Sequence, residues 1–176
     1  LGDNLLDKHR ADIQDIREIP DDFSLTDREF VAVSAAKKNE IVSDKKKIEN
    51  FLSSLEYPLY YLDYETIFPV IPLFDQNKPY QQIPFQFSLH IQKEKNGDSE
   101  HIEFLHTETG DPRPEFINAL IKSCGERGSV VVYNIGFERS RNKELGENFP
   151  EYKLLLNHIN GFYSQPTHDQ ILFHEY

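Results

Sequence analysis

Hydrophobic and polar residues change their spacing along the chain, and this spacing predicts an order of elements. The first 44 residues show no sustained hydrophobic period. Within them we predict a helix over about 27–36, with Thr26 as its N-cap and Glu29 at the third helical position. A second helix is expected to begin after Ser43 or Asp44 and to end near residue 55.

After residue 58 the spacing becomes that of strands. An aromatic and apolar run at 59–64 predicts a buried strand, and strict alternation at 85–92 predicts a second one. Between them, the proline-rich and apolar segment 68–84 predicts a long loop. A turn at 95–98 leads into a third strand at 100–106. We expect these three successive strands to pair in antiparallel fashion.

Helices and a short strand follow. We predict helices over about 111–124, 137–148 and 152–159, and a fully apolar strand at 129–133. Residues 171–173 are expected to start a further strand or helix. A crossover helix from the third strand to the fourth predicts an α/β fold, in which helices flank a mixed sheet.

Charge is distributed unevenly over the 176 residues. The chain has 30 acidic and 19 basic residues, a net charge of −11, and residues 1–30 contribute −5 of it through nine acids and four bases. We therefore expect an acidic helical connector at 1–44 and a folded domain at 45–176. The negative balance argues against a protein that coats nucleic acid by bulk electrostatics.

Other features of the composition bear on where the protein works. The single cysteine, Cys124, excludes an internal disulfide, fits a reducing compartment and is expected to be structural. No run of about 18 apolar residues and no signal sequence is present, so we expect a cytoplasmic protein without a membrane span. Because the chain starts at Leu1 and contains no Met, we expect it to be part of a longer protein.

The strongest candidates for chemistry are Asp63 and Glu65, at the end of the first predicted strand. Residues i and i+2 of a strand face the same side, so both carboxylates project together. In a buried position two such charges need a cation between them, and Mg²⁺ prefers carboxylate oxygens. Because about five acid-x-acid pairs are expected by chance in so acidic a chain, a solvated strand end remains the alternative.

A second candidate is Glu138, which follows the apolar strand after a short turn. Asn134 can cap the next helix, and Glu138 then lies in its first turn, where the helix dipole favours an anion. If this strand lies beside the first, Glu138 can reach the same ion as Asp63. The alternative is an ordinary first-turn acid. The neighbouring bases Arg139, Arg141 and Lys143 either contact phosphates or form a solvated helix face.

The aromatic loop offers a third possibility. Phe74 and Tyr80 can stack on nucleobases or fold back as a local apolar cluster. The histidines show no spacing typical of zinc ligands, and no glycine-rich phosphate loop is present.

Two motifs resemble those of the DEDD 3′–5′ exonucleases, which share a ribonuclease H-like fold. The segment YLDYET at 61–66 resembles their first motif, Asp-x-Glu, and YNIGFE at 133–138 resembles their second, Asn-x-x-Phe-Asp. Glu138 stands where that superfamily usually has Asp. With YQQIPFQ at 80–86, these segments are more closely similar to a bacterial family described as domain of unknown function 2779. This similarity runs from about residue 45 to 176.

The resemblance implies a metal-dependent nuclease that hydrolyses phosphodiester bonds at the 3′ end of DNA or RNA. Asp63, Glu65 and Glu138 would be its catalytic metal ligands, holding two Mg²⁺ or Mn²⁺ ions in the complete site. The expected substrate-binding residues are Thr66, Tyr80, Asn134, Phe137 and Arg139.

The resemblance also implies a fourth acidic ligand and a general base on a later helix. No such motif occurs in the 38 residues after Glu138, and Asp169 does not fit the role. We therefore expect a ribonuclease H-like domain that is truncated at its C-terminus, with the missing motif beyond Tyr176. The alternative function is a non-catalytic nucleic-acid-binding or scaffolding module that retains the fold.

Overall fold

A computed structural model describes residues 13–41 and 43–164, with only the backbone of Ser164. The chain divides into two compact units: Ser53–Gln165 forms one, and the described residues before Ser53 belong to the other. The predicted element at 171–173 and Asp169 lie outside the described residues. No helix in the described part combines the length and the apolar character that crossing a membrane requires.

The first unit contains the two helices that the sequence predicts, the second of them up to Leu52. Helix α1, Asp27–Lys38, begins with a capping box, in which the Thr26 hydroxyl accepts from the Glu29 N–H and the Glu29 carboxylate accepts from the Thr26 N–H. It ends at Asn39, in the left-handed conformation that closes many helices. Helix α2, Lys45–Ser53, is preceded by Asp44, whose carboxylate accepts from the Lys47 N–H at 3.0 Å.

The second unit is a mixed five-stranded sheet with helices. Strands β1, β2 and β3 form an antiparallel meander, and β4 and β5 continue the sheet parallel to β1, in the order β3-β2-β1-β4-β5. The crossover from β3 to β4 is a helix, as predicted. The elements are β1 (Leu59–Ile67), β2 (Ile83–Gln92), β3 (Ser99–Leu105), α3 (Arg113–Ser123), β4 (Ser129–Val131), α4 (Ile135–Asn148), a 3₁₀ turn (Pro150–Tyr152), α5 (Lys153–Gly161) and β5 (Tyr163–Ser164).

One face of the sheet carries the core of this unit. Along β1 the buried residues Tyr60, Leu62 and Tyr64 alternate with exposed ones, as the period of two in a strand requires. Phe87 on β2 and Phe116 on α3 pack on the same side, with ring centroids 5.6 Å apart in an edge-to-face arrangement. The predicted alternation of β2 is confirmed, because Phe87, Leu89 and Ile91 are buried.

The predicted long loop is confirmed over residues 68–82, but β2 begins at Ile83 rather than at residue 85. Pro84 lies within β2, opposite Thr66, where the register of β1 shifts after Glu65. At an irregularity of this kind, one residue of the strand does not donate its N–H in the regular hydrogen-bond ladder. A proline, which has no N–H, is therefore tolerated there.

Candidate carboxylate site

Asp63 and Glu65 project from the same face of β1, as predicted. Both are exposed, whereas the intervening Tyr64 is buried on the opposite face. Their exposure matches the solvated strand end that the sequence left open, because a strand that covers the core with one face leaves alternate residues on the other. In the ladder with β2, Asp63 lies opposite Ser88 and Glu65 opposite Gln86, so their cross-strand neighbours are polar.

Glu138 is the acid that the fold buries. Helix α4 starts two residues earlier than predicted, and Asn134 caps it by accepting from the Phe137 N–H at 3.2 Å. This places Glu138 in the first turn with only 2% of its surface exposed. Its Oε2 atom is buried and has no hydrogen-bond partner.

The environment of Glu138 favours a neutral carboxyl or a bound cation. Burial, with a smaller contribution from the negative charge of Asp63, raises its pKa to about 7. The parallel pairing of β4 with β1 brings these acids together, because the chain turns into α4 just after β4. A buried carboxylate oxygen without a partner next to a second carboxylate fits a hard cation that retains several of its waters.

A buried hydrogen-bond network holds α4 against β1 beside these acids. Asn142, one turn after Glu138, is fully buried; it accepts from the Tyr64 hydroxyl at 3.1 Å. Its amide nitrogen donates to the Tyr163 hydroxyl and to the Asn160 side-chain oxygen, both at 3.0 Å. Burial raises the pKa of Tyr64, so its hydroxyl stays protonated and can donate. Sequence reasoning missed Asn142, although a polar residue four positions after Glu138 was a usable signal.

The three proposed metal ligands do not meet as one cluster. Within residues 13–41 and 43–164, no group of three or more His, Cys, Asp or Glu side chains has an arrangement that could hold a metal ion. The interacting pair is Asp63 and Glu138, while Glu65 shares only the strand face of Asp63. One or two protein carboxylates are nevertheless the usual donor set for Mg²⁺.

The predicted substrate-binding residues are spread around this pair. Thr66 is half-buried at the irregular end of β1, and Asn134 is the exposed cap of α4. Phe137 is half-buried, with the Arg141 guanidinium 5.3 Å from its ring centroid. The exposed Arg139 lies 5.9 Å from the Tyr163 ring centroid.

Tyr80 is 64% exposed and lines a pocket of about 220 Å³. Its backbone N–H donates to the Pro69 carbonyl at 2.9 Å, which closes the long loop on itself. Phe74, the other aromatic candidate of the loop, is half-buried. The pocket is lined by Phe68, Tyr80, Gln81, Gln82, Arg141 and Glu144.

Fold and site together define a mixed α/β domain in which a buried glutamate is influenced by the charge of an aspartate on the central strand. Comparison with family models places the chain in a family described as a domain of unknown function (DUF2779), whose model matches residues 60–169. The chain therefore belongs to that family. Neither a curated protein nor a solved structure matches the chain.

Proposed function

We propose that this domain is a metal-dependent 3′–5′ exonuclease that hydrolyses phosphodiester bonds of DNA or RNA and has a ribonuclease H-like fold. The observation that carries the proposal is the carboxylate pair. Glu138 is buried with a free oxygen beside Asp63, an arrangement that is costly in a merely structural role and useful for binding a divalent cation.

The topology supports the proposal. An antiparallel three-stranded meander followed by a crossover helix to a parallel strand is the arrangement expected of a ribonuclease H-like sheet. Asp63 and Glu65 lie on its central strand, and Glu138 follows the neighbouring parallel strand. The motif residues therefore lie on the central strand and in the first turn of the helix that follows its parallel neighbour.

In this mechanism Asp63 and Glu138 would hold Mg²⁺ or Mn²⁺, and Glu65 would add negative charge on the same strand face as Asp63. The bound metal would activate water and stabilise the leaving oxygen of the phosphodiester. The chain itself positions the acids: the network around Asn142 fixes α4 on β1, and the Asn134 cap places Glu138 in the first turn of α4. The exposed Arg139 adds a positive charge next to Glu138 for a substrate phosphate.

The test is cleavage of 3′-labelled single- and double-stranded DNA and RNA by the purified protein with Mg²⁺ or Mn²⁺. We expect chelation and the substitutions Asp63→Ala and Glu138→Ala each to lower the rate at least about a hundredfold, because each removes a charge that holds the metal. Glu126→Ala, in the exposed turn before β4, is the control and keeps the wild-type rate. Equal residual cleavage in wild type and Asp63→Ala would refute the proposal.

The second candidate is a non-catalytic nucleic-acid-binding or scaffolding module. It is favoured by one observation: Glu65 does not join Asp63 and Glu138 in a three-carboxylate group within the described part of the chain. Calorimetric titration with Mn²⁺ separates the two functions. Binding that Glu138→Gln abolishes supports the enzyme, whereas a folded protein that binds no Mn²⁺ supports the module.

A further inference from the structure

A pocket between the long loop and α4 has polar and aromatic side chains that take no part in the proposed metal binding. It is bounded by the long loop on one side, through Phe68 and Tyr80, and by α4 on the other, through Arg141 and Glu144. Both aromatic rings are more than 60% exposed. Exposed rings at the rim of a pocket can stack on a planar ligand. Stacking of this kind is possible with every nucleobase, because each has a flat aromatic face.

Two unsatisfied polar atoms occur among the side chains that line this pocket. Arg141 donates from one terminal nitrogen to Glu144 Oε1 at 2.6 Å, and the remaining atoms Arg141 Nε and Glu144 Oε2 are buried without a partner. An unpaired buried donor next to an unpaired buried acceptor is rare in proteins, because each loses its hydration without compensation. A ligand with complementary groups would satisfy both after a rotation of the two side chains that opens these atoms to the pocket.

The size and position of the pocket suit one nucleobase. Its volume of about 220 Å³ is below the roughly 300 Å³ at which pockets for drug-sized ligands begin. Arg141 and Glu144 lie three and six residues after Glu138, which corresponds to about 4.5 and 9 Å along the helix axis. The two pocket residues of α4 therefore lie within two turns of Glu138 along the same helix.

The donor and acceptor pattern selects among bases. Guanine presents two adjacent N–H donors, N1–H and the 2-amino group, together with the O6 acceptor. A carboxylate can accept both donors, and a guanidinium N–H can donate to O6. The Arg141–Glu144 ion pair is neutral overall, so it does not repel the phosphate that accompanies the base.

We propose that this pocket is a base-binding subsite that prefers guanine. Glu144 and Arg141 recognise the base through hydrogen bonds, and the ring of Tyr80 or Phe68 stacks on it. The proposal deepens the nuclease function and rests on it for its biological role. Its binding step requires neither metal nor cleavage, so the two proposals fail separately.

The test is calorimetric titration of the metal-free protein with GMP, AMP, CMP and UMP in the presence of chelator. We expect GMP to bind at least about tenfold more tightly than the other three nucleotides, because one additional hydrogen bond to a charged group has an effect of this size. Glu144→Gln should remove this preference, whereas Glu147→Gln, an exposed acid on the same helix, should retain it. Tyr80→Ala should weaken all four nucleotides by a similar factor.

A measurement without substitutions keeps the proposal falsifiable if Glu144→Gln does not fold. Addition of GMP to the wild-type protein should shift the NMR signals of the Gln81 and Gln82 side-chain amides more than AMP does. Equal binding of the four nucleotides, or unchanged guanine preference in folded Glu144→Gln, overturns the subsite. Metal-dependent cleavage without base preference would refute only this inference, whereas GMP binding without cleavage would refute only the nuclease.

Discussion

Glu138 is the residue whose surroundings depart most from those of an ordinary surface acid. The other acids of the motif, Asp63 and Glu65, are exposed and solvated, whereas Glu138 is buried beside Asp63. Because the unfolded chain would release this proton near pH 4.5 and the folded protein near pH 7, the folded form binds the proton more tightly. The contribution of Glu138 to stability is therefore present at low pH and is lost as the pH rises from about 4.5 to 7.

This gives a prediction for the substitution Glu138→Gln in metal-free buffer. At pH 8 the variant should exceed the wild type in free energy of unfolding by up to about 3 kcal/mol, because one pKa unit corresponds to about 1.36 kcal/mol. At pH 4.5 the two proteins should differ little. Urea denaturation at both pH values measures the difference. An equal difference at pH 4.5 and pH 8 would show that the Glu138 charge is not responsible.

The turn before β4 sets how this strand pairs with β1. Gly128 precedes β4 with a φ of 109°, and an added Cβ would lie 2.1 Å from the Pro58 carbonyl oxygen. The same turn pairs β4 with β1, where the Ser129 N–H donates to the Glu56 and Pro58 carbonyls at 2.9 and 3.1 Å. Backbone strain and close approach therefore both require glycine at this position.

We predict that Gly128→Ala destabilises the protein by at least about 2 kcal/mol, from the strained backbone and the clash with Pro58 together. The matched control is Gly161→Ala at the end of α5, where a Cβ meets no atom within 4 Å. Thermal unfolding followed by circular dichroism should show a lowered Tm only for Gly128→Ala. A similar Tm for both variants would contradict the conformation described for this turn.

At the scale of the second unit, buried charge joins segments that are distant in sequence. The Arg113 side chain is 3% exposed and forms an ion pair with Asp111 at 2.6 Å. It also donates to the Asp75 carbonyl at 2.9 Å and lies 5.1 Å from the Phe149 ring centroid. A single guanidinium thus ties the long loop, the start of α3 and the end of α4 together.

Arg113→Met should therefore cost about 3 kcal/mol of unfolding free energy, because it leaves Asp111 without its partner in a partly buried position. It should also release the long loop at Asp75, which we expect to appear as faster amide hydrogen exchange over 68–82. Arg127→Met, in an exposed turn, is the control and should change neither quantity. Unchanged exchange in the loop would show that Arg113 does not anchor it.

Much of the secondary structure in both units follows from local rules that act within a few residues. The capping box at Thr26, the alternation along β2 and the shared face of Asp63 and Glu65 are consequences of helix and strand periodicity. Such rules predicted the elements and the antiparallel meander. They missed β5, because a strand of two residues, Tyr163–Ser164, has no detectable period and exists only through its pairing with β4.

The sequence by itself determined which residues can carry chemistry: the two acids in β1, the acid in the first turn of α4, and the aromatic loop. Only the tertiary structure decided which of them meet. It paired Asp63 with a buried Glu138, left Glu65 exposed and placed Glu144 beside Tyr80, more than 60 residues away in the chain. The physical reason is that burial and cross-chain contact depend on strand pairing between distant segments, which local periodicity does not encode.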